Sequence, residues 1–359
     1  MELLLSGEWL RRQDQGIFRA DIVDIVSFQN LKEALLFPLK KGNYFVIFSY
    51  DLTRETMELE IKMSGLPPVI FIEIGELQSL DYEIKNYELI FKGSALSDGE
   101  FINCIKRIKG FIADGAIYQV NLTNRFDFNL HGDRISLFLD FYKRQPVPYS
   151  FYFDSGEFFI ISGSMELFLE KEEKTIRSKP IKGTGASLEE LLKSEKDRAE
   201  NLMITDMMRN DLGRIAEKGS VRVTELFKVT GYETLFQMHS TVEALTERNF
   251  LEIIYETFPP ASISGAPKRK ACEIINLLEP HPRGYYCGCA GLVKEKGDFV
   301  LSVLIRTAIG KGDILSYYAG CGIVWDSIPL KELEELYLKI KAFYPFKRRG
   351  LFSQALPFL

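Results

Sequence analysis

The stretch Tyr118-Gln119-Val120-Asn121-Leu122-Thr123-Asn124-Arg125-Phe126-Asp127-Phe128 alternates between apolar and polar side chains. Successive side chains of a β-strand point to opposite faces, so this period of two predicts a strand with one buried face. The other face is polar, and it therefore either meets water or lines a polar site. The apolar face comprises Tyr118, Val120, Leu122, Phe126 and Phe128, and the polar face Gln119, Asn121, Thr123, Arg125 and Asp127.

Helices and further strands are predicted on both sides of this strand. Before it, Ser97 and Glu100 form a capping box, and apolar residues from Phe101 to Ile112 recur with the period of a helix that ends near Asp114. The irregular order of the elements predicts an α+β fold in one large unit. Strands are predicted near 42–48, 67–72, 150–153 and 158–162, as a pair within 291–309 and at 314–318, and helices at 187–214 and after Pro329.

The composition excludes several classes of protein. A net charge of -5 argues against a nucleic-acid binder, which usually carries a basic stripe, and the cluster Lys347-Arg348-Arg349 is short. No apolar run approaches the roughly 18 residues of a membrane span, and residues 1–7 lack the features of a secretory signal. Five irregularly spaced cysteines are typical of reduced thiols. We therefore expect a cytoplasmic protein that binds neither nucleic acid nor membrane.

Lys182 is the first candidate for chemistry. Pro180 before it and the predicted turn Gly183-Thr184-Gly185 after it constrain its backbone on both sides. A lone lysine of this kind is usually a solvated loop residue. In a closed site, however, a lysine can lose its proton and become a nucleophile. The motifs around it favour the second interpretation.

Two glutamates are candidate ligands of a cation. Glu200 shares an apolar helical stripe with Met203, Ile204 and Met207, and a buried carboxylate must be paired, protonated or bound to a cation. Lys196, one turn earlier, is the alternative partner. Glu335 lies with Glu332 on a polar strip of the C-terminal helix, where spacing alone favours an exposed pair with Lys339. The buried face of that helix is predicted to comprise Leu330, Leu333, Leu336, Tyr337, Ile340 and Phe343.

Two glycine-containing segments are candidate anion sites, although each alone is more often an ordinary turn. Residues 319–322 follow a predicted strand, and residues 262–268 open a predicted helix with Ser264 as its cap. Arg306 interrupts an apolar strand, and a buried guanidinium there needs a carboxylate partner. Together with the lysine and the glutamates, these features suit a small dicarboxylate held by Mg²⁺.

The order and length of these motifs resemble the chorismate-utilising enzymes from about residue 115 to residue 343. The resemblance implies a single chorismate-binding unit, 1–359, in which 1–95 is a trimmed N-terminal part and 97–343 the chorismate-binding core. It also implies an anthranilate-synthase-component-I-like α+β fold, with two large antiparallel sheets packed as a sandwich and helices outside. The matching segments are 118–122, 179–184, 197–214, 258–279, 306–307 and 320–327.

The resemblance further implies a role for individual residues. Lys182 would attack C2 of chorismate while Glu166 protonates the departing C4 hydroxyl, and ammonia would then attack C4 and expel the lysine. His239 would lie close to the reacting ring. Glu200 and Glu335 would hold Mg²⁺. The implied substrate-binding residues are Thr184, Gly265, Tyr286, Arg306, Gly320, Cys321, Gly322 and Lys339.

Two positions distinguish the branches of this family. Anthranilate synthases usually carry alanine where this chain has Lys182, and isochorismate and salicylate synthases carry a water-activating lysine where it has Gln119. The combination favours the aminodeoxychorismate synthase branch, which makes 4-amino-4-deoxychorismate for 4-aminobenzoate and folate. The chain lacks a glutaminase motif, so ammonia is expected from a separate glutamine amidotransferase subunit or from solution. An anthranilate synthase component and a non-catalytic chorismate-binding subunit are the alternatives.

Overall fold

A computed structural model describes residues 1–10, 16–37, 42–185, 187–231 and 236–344. The side chain of Thr184, the cluster Lys347-Arg348-Arg349 and the tail 348–359 lie outside the described part. Eighteen strands occur within these ranges: β1 (Glu2–Ser6), β2 (Ile17–Phe28), β3 (Asn43–Phe48), β4 (Val69–Ser79), β5 (Tyr87–Ser94), β6 (Gln119–Gly132), β7 (Tyr149–Asp154), β8 (Phe159–Ser164), β9 (Leu167–Glu172), β10 (Thr175–Lys179), β11 (Ile181–Gly185), β12 (Arg222–Gly231), β13 (Phe236–Leu245), β14 (Gly265–Ala266), β15 (Cys289–Val293), β16 (Phe299–Val303), β17 (Thr307–Lys311) and β18 (Ile314–Ile323).

Nine α-helices accompany these strands in the same described ranges. None of these helices has the length and apolar character needed to cross a membrane. The helices are α1 (Leu31–Leu35), α2 (Thr53–Thr56), α3 (Asp98–Ala113), α4 (Arg134–Arg144), α5 (Leu188–Lys193), α6 (Glu195–Gly213), α7 (Phe250–Thr257), α8 (Lys268–Leu278) and α9 (Pro329–Lys341).

All strand pairs are antiparallel and join into one continuous network. From edge to edge, the order is β5-β6-β18-β17-β8-β7-β1-β2-β4-β3-β15-β16-β9-β10-β13-β12, with β14 beside β6 and β11 beside β13. The two sheets that the resemblance implies are thus the two halves of this network, joined through β1.

The halves pack face to face, which confirms the predicted sandwich with helices outside. Phe45 of β3 and Phe151 of β7 lie in different halves, yet their ring centroids are only 5.0 Å apart. Because side chains alternate, neighbouring residues of one strand enter different cores. Phe45 belongs to the central core, whereas Val46 packs with α6 and α7 outside the second half. Helices α3, α4, α8 and α9 cover the outer face of the first half.

Strand β6 largely follows its sequence pattern. Val120, Leu122, Phe126 and Phe128 are buried as predicted. Tyr118 is 67% exposed, so its placement on the buried face was wrong, and the strand begins one residue later. The polar face divides in two: Gln119, Asn121 and Thr123 are buried, whereas Arg125 and Asp127 form a half-buried ion pair. The first part of the polar face is thus shielded from water, which favours the predicted alternative of a polar site.

Helix boundaries agree with the capping chemistry. The capping box of Ser97 and Glu100 is formed at the start of α3, which ends before Asp114 as predicted. The predicted helix over 187–214 is two helices, because Ser194 caps α6 by accepting a hydrogen bond from the Asp197 N-H. The predicted strand pair within 291–309 is three strands. The β-structure is interrupted between β16 and β17, where Arg306 has a φ of 54° that does not suit a strand.

Candidate active site

A cavity of about 430 Å³ lies among β11, α6, the end of β18 and α9. A larger depression of about 780 Å³ lies over β1, β2 and β4 and contains none of the predicted site residues. Residues that are distant in sequence thus meet in one place. The predicted site residues that line the smaller cavity are Glu166, Lys182, Glu200, Tyr286, Arg306, Gly320, Gly322, Glu335 and Lys339.

Lys182 lies in the cavity wall rather than in a solvated loop. The turn predicted at Gly183 is instead part of β11, and Lys182 Nζ donates a hydrogen bond to the Ser262 carbonyl oxygen at 3.3 Å. Gly183 has a φ of 90°, and a Cβ there would stand 2.9 Å from Asp197 Cβ, so this position requires glycine. A Cβ at Gly322 would stand 3.7 Å from Lys182 Nζ. Gly183 therefore allows β11 to approach α6, and Gly322 lies beside both the Lys182 amine and the Gln119 side chain.

Glu166 is a buried carboxyl in the same cavity and follows the end of β8. Burial raises the pKa of Glu166, while the Ser262 hydroxyl and the Lys182 ammonium act in the opposite direction without cancelling it. A carboxyl with a raised pKa keeps its proton to higher pH and can donate that proton to a leaving group. Glu166 thus has the protonation behaviour of a general acid.

Helices α6 and α9 bring several carboxylates together. Burial raises the pKa of Glu200, and Lys182 and Lys196 oppose it. Burial also acts to raise the pKa of Glu335, but Lys339, Lys182 and Lys196 outweigh it and hold this pKa below its ordinary value. The ion pair with Lys196, which was the alternative to cation binding by Glu200, is present at 3.8 Å.

Glu332 is the acidic residue that the helical pattern misplaced. It was predicted on a polar strip beside the buried face of α9, but it is only 3% exposed and lines the cavity. Ser327 Oγ donates a hydrogen bond to Glu332 Oε1 at 2.7 Å, and burial raises the pKa of Glu332. Ligand atoms of Glu332, Glu335 and Cys321 lie within 4.8 Å of one another. The signal that could have identified Glu332 is its position one helical turn before Glu335.

The donor set fits a hard divalent cation. Carboxylate oxygens are the side-chain ligands that Mg²⁺ prefers, whereas thiol sulfur suits softer metals. Burial raises the pKa of the Cys321 thiol to about 12, which keeps the sulfur protonated and a poor ligand. Glu200, Glu332 and Glu335 are therefore the residues that could hold Mg²⁺, with Cys321 as part of the surrounding wall.

Lys339 and Arg306 support each other at the α9 side of the cavity. Lys339 Nζ contacts Glu335 Oε1 at 2.6 Å and donates to the Gly320 carbonyl oxygen at 2.7 Å. The pair predicted from helical spacing is thus present, but both partners line the cavity. Arg306 Nη1 donates a hydrogen bond to the Lys339 carbonyl oxygen at 2.6 Å. A guanidinium has five N-H donors, and Arg306 can therefore also bind an anion.

The two predicted anion cradles are not free turns. Gly320, Cys321 and Gly322 lie within β18, paired with β6. The pairing of β17 with β18 stops at Tyr317, so β17 does not cover this stretch. Ser264 does not cap α8, because its hydroxyl donates to the carbonyl oxygens of Pro260 and Ala261.

Among the predicted site residues whose side chains the structure describes, three do not line the cavity. Cys321 is buried behind it, and its Sγ lies 3.3 Å from the Glu332 carbonyl oxygen. Gly265 pairs with β6, where a Cβ would stand 2.2 Å from the Gln119 carbonyl oxygen. His239 Nε2 lies 3.8 Å from Glu225 Oε2 on the neighbouring strand. Burial lowers the pKa of His239, although Glu225 opposes it.

A buried ion pair behind the cavity was missed in the sequence. Arg283 and Glu279 are each 1% exposed, and Arg283 Nη2 donates to Glu279 Oε1 at 2.7 Å. The guanidinium also donates to the carbonyl oxygens of Ile263 and Asn121 at 2.9 and 2.7 Å, and both residues line the cavity. The pair therefore ties two walls of the cavity together. The spacing of four residues on one chain segment was its only local signal.

The sequence pattern of the chorismate binding enzyme family matches residues 76–345. The chain belongs to this family. The match covers about three quarters of the chain and contains every predicted site residue. It confirms the resemblance inferred from the motifs.

Related members of the chorismate-binding family carry two different names. The chain is 37% identical over 304 residues to anthranilate synthase component 1 of Aquifex aeolicus, covering 81% of this chain and 59% of that relative. It is 32% identical over 324 residues to aminodeoxychorismate synthase component 1 of Bacillus subtilis, covering 82% and 68%. The matched part thus spans about six to seven tenths of these relatives. Their names do not separate the two branches.

Solved structures of family members share the fold. Anthranilate synthase component I from Streptococcus pneumoniae superposes with a TM-score of 0.79 at 22% identity, covering 96% of this chain and 92% of that chain. The menaquinone-specific isochorismate synthase of Escherichia coli gives a TM-score of 0.76 at 18% identity, covering 95% and 87%. The predicted anthranilate-synthase-component-I-like architecture is therefore confirmed.

Proposed function

We propose that this chain aminates chorismate at C4 to give 4-amino-4-deoxychorismate. The observation that carries the proposal is Lys182, whose amine lies in one cavity with the buried acid Glu166 and the carboxylates of α6 and α9. Gln119, at a position where water-activating relatives carry lysine, supports the same branch.

Lys182 and Glu166 divide the first half of the reaction. The Lys182 amine forms a bond to C2, the ring double bonds shift towards C4, and the C4-oxygen bond breaks. Glu166 gives its proton to the departing oxygen, which leaves as water. Ammonia then bonds to C4, the double bonds shift back, and the C2-nitrogen bond breaks to release the lysine.

The cation and the charged residues hold the substrate. Mg²⁺, when bound, supplies positive charge to a carboxylate of chorismate. Glu200 and Glu335 are its proposed ligands, with Glu332 as a third carboxylate within reach of Glu335. Arg306 and Lys339, at the α9 side of the cavity, carry the charge for a carboxylate of the substrate. His239 stays a prediction, since it lies beside Glu225.

Ammonia is proposed to come from a glutamine amidotransferase subunit. Relatives of both names are called component 1, which supports a second component in this system as well. Replacing the ammonium salt by glutamine plus such a subunit is expected to sustain turnover. Glutamine without the subunit is expected to give none.

Anthranilate synthesis is the second candidate, because relatives at 37% and 34% identity carry that name. The two reactions differ in the position of the new amine and in the loss of pyruvate. One assay therefore distinguishes them: purified chain, chorismate, Mg²⁺ and an ammonium salt at alkaline pH, with products separated and weighed by mass spectrometry.

We expect a product that keeps the enolpyruvyl group and carries nitrogen at C4. Anthranilate with an equal amount of pyruvate would overturn the C4 assignment while leaving the family intact. No consumption of chorismate, with or without an amidotransferase subunit, would instead indicate a non-catalytic chorismate-binding subunit.

A further inference from the structure

Lys196 occupies an unusual position between the two acidic helices. It lies in the first turn of α6, where the helix dipole disfavours a positive charge. Its Nζ lies 3.8 Å from Glu200 Oε1 on the same helix and 3.8 Å from Glu332 Oε1 on α9. The ammonium thus bridges two carboxylates that line the cavity. These carboxylates offset the unfavourable dipole.

The three cavity lysines are held to different degrees. Lys339 is fixed by Glu335 at 2.6 Å and by the Gly320 carbonyl oxygen at 2.7 Å. Lys182 is held by the Ser262 carbonyl oxygen at 3.3 Å. The Lys196 side chain is 54% exposed, and its contacts to carboxylates are the longest of the set. Its flexible four-carbon stem allows the ammonium to move into solvent at little cost.

A divalent cation and the Lys196 ammonium need the same carboxylates. The side chain of Glu332 is 4% exposed and that of Glu200 is 16% exposed. A carboxylate buried to this extent lowers the stability of the fold unless a positive charge lies beside it. Lys196 is the ammonium that contacts both carboxylates in the protein without a cation. A bound cation would repel an ammonium held a few ångströms away.

We propose that Lys196 is a built-in competitor of the divalent cation: it neutralises Glu200 and Glu332 in the cation-free protein and swings to solvent when the cation binds. The inference rests on the proposed Mg²⁺ site but goes beyond it, because it assigns a residue that sets cation affinity without being a ligand. The proposal predicts that replacing Lys196 tightens cation binding, whereas replacing a ligand would weaken it.

The test is the affinity for Mg²⁺ alone, with no chorismate present. Lys196→Met keeps the length of the side chain and removes its charge. We expect this variant to bind Mg²⁺ about tenfold more tightly than the unaltered protein or better, because a nearby positive charge is gone. Lys196→Arg keeps the charge and is expected to stay within about threefold of the unaltered protein. The readouts are calorimetric titration and the rise in Tm with Mg²⁺ concentration.

Two further variants make the comparison specific. Lys193→Met removes an exposed lysine of α5 that pairs with Glu189 at 2.6 Å, and it is expected to leave Mg²⁺ affinity unchanged. Glu335→Gln added to Lys196→Met is expected to abolish the gain, which places the tightened cation at this cluster. Unchanged or weaker binding by Lys196→Met would overturn the competitor role.

Failure of the competitor role can be distinguished from failure of the proposed function. If the unaltered protein binds Mg²⁺ and converts chorismate while Lys196→Met shows no gain, only the competitor role fails. If neither protein binds Mg²⁺, the competitor role and the proposed cation site fail together. Chorismate turnover then decides whether the proposed reaction survives without that site.

Discussion

Glu166 shows how a single buried side chain links stability to chemistry. Its pKa is raised by burial, so the folded chain holds this proton to higher pH than the unfolded chain does. The protonated Glu166 carboxyl makes its full contribution to stability at pH values below the ordinary carboxyl pKa. That contribution is lost as the pH rises through the raised pKa. The property that suits a general acid therefore costs stability at the alkaline pH of the proposed reaction.

Glu166→Gln removes this cost while keeping the shape of the side chain. We expect the variant to have a higher Tm than the unaltered protein at pH 8 without Mg²⁺, and an equal Tm near pH 4, where both side chains are neutral. The exposed Glu295→Gln in the turn after β15 is the control and should show no difference at either pH. Calorimetry measures Tm. If the Tm difference between the variant and the unaltered protein is the same at pH 8 and near pH 4, Glu166 does not have a raised pKa.

Arg283 is the residue that holds the cavity walls without entering the cavity. Arg283→Met would leave the Glu279 carboxylate buried and unpaired, and it should lower the free energy of unfolding by about 3–5 kcal/mol. Arg269→Met, on an arginine of α8 that is 60% exposed, should change it by less than about 0.5 kcal/mol. Urea unfolding measures both. Equal effects of the two variants would mean that the buried pair adds nothing to the fold.

Individual residues were predicted to different extents. Lys182, Glu200 and Glu335 were identified because their motifs are long and resemble a family. Glu332 and Arg283 were not identified, since their partners Ser327 and Ile263 are set by packing. A local sequence pattern predicts a charged residue to be exposed, because the pattern does not show which distant element covers its side chain.

At the scale of elements, α9 illustrates the same limit. The helical period correctly predicted Leu333, Leu336, Ile340 and Phe343 as buried. It failed for Leu330, which is 60% exposed, because that residue lies in the first turn beyond the edge of the sheet core. The polar stripe of α9 lines a cavity beside α6 and β18, although Glu335 within it remains 47% exposed. Periodicity groups residues by face, but it does not identify what each face meets.

The two leucines give a matched test on this one helix. Leu336→Ala removes a fully buried side chain and should lower the free energy of unfolding by about 2–5 kcal/mol, because it leaves a cavity in the core. Leu330→Ala should cost less than about 0.5 kcal/mol. Denaturant unfolding of both proteins measures the difference. A large loss from Leu330→Ala would contradict the described orientation of α9.

At the scale of the whole molecule, the site depends on long-range pairing. Leu5 of β1 pairs with Phe151 of β7, and Ser302 of β16 pairs with Leu167 just after Glu166. Local patterns predicted about half of the described strands, because alternation needs only a few neighbouring residues, and they missed β1, β2, β5 and β9 to β14. They could not predict the partners, since pairing joins segments more than a hundred residues apart. Only the family resemblance predicted that the strands form two sheets packed as a sandwich.

The covalent role of Lys182 is the central claim, and the intact mass of the protein tests it most directly. Incubation with chorismate and Mg²⁺, without any source of ammonia, should stall the reaction after Lys182 has attacked C2. We expect a mass increase equal to chorismate less one water, mapped to Lys182 by peptide analysis and absent from Lys182→Ala. An unmodified mass, together with full ammonia-dependent turnover by Lys182→Ala, would contradict the account.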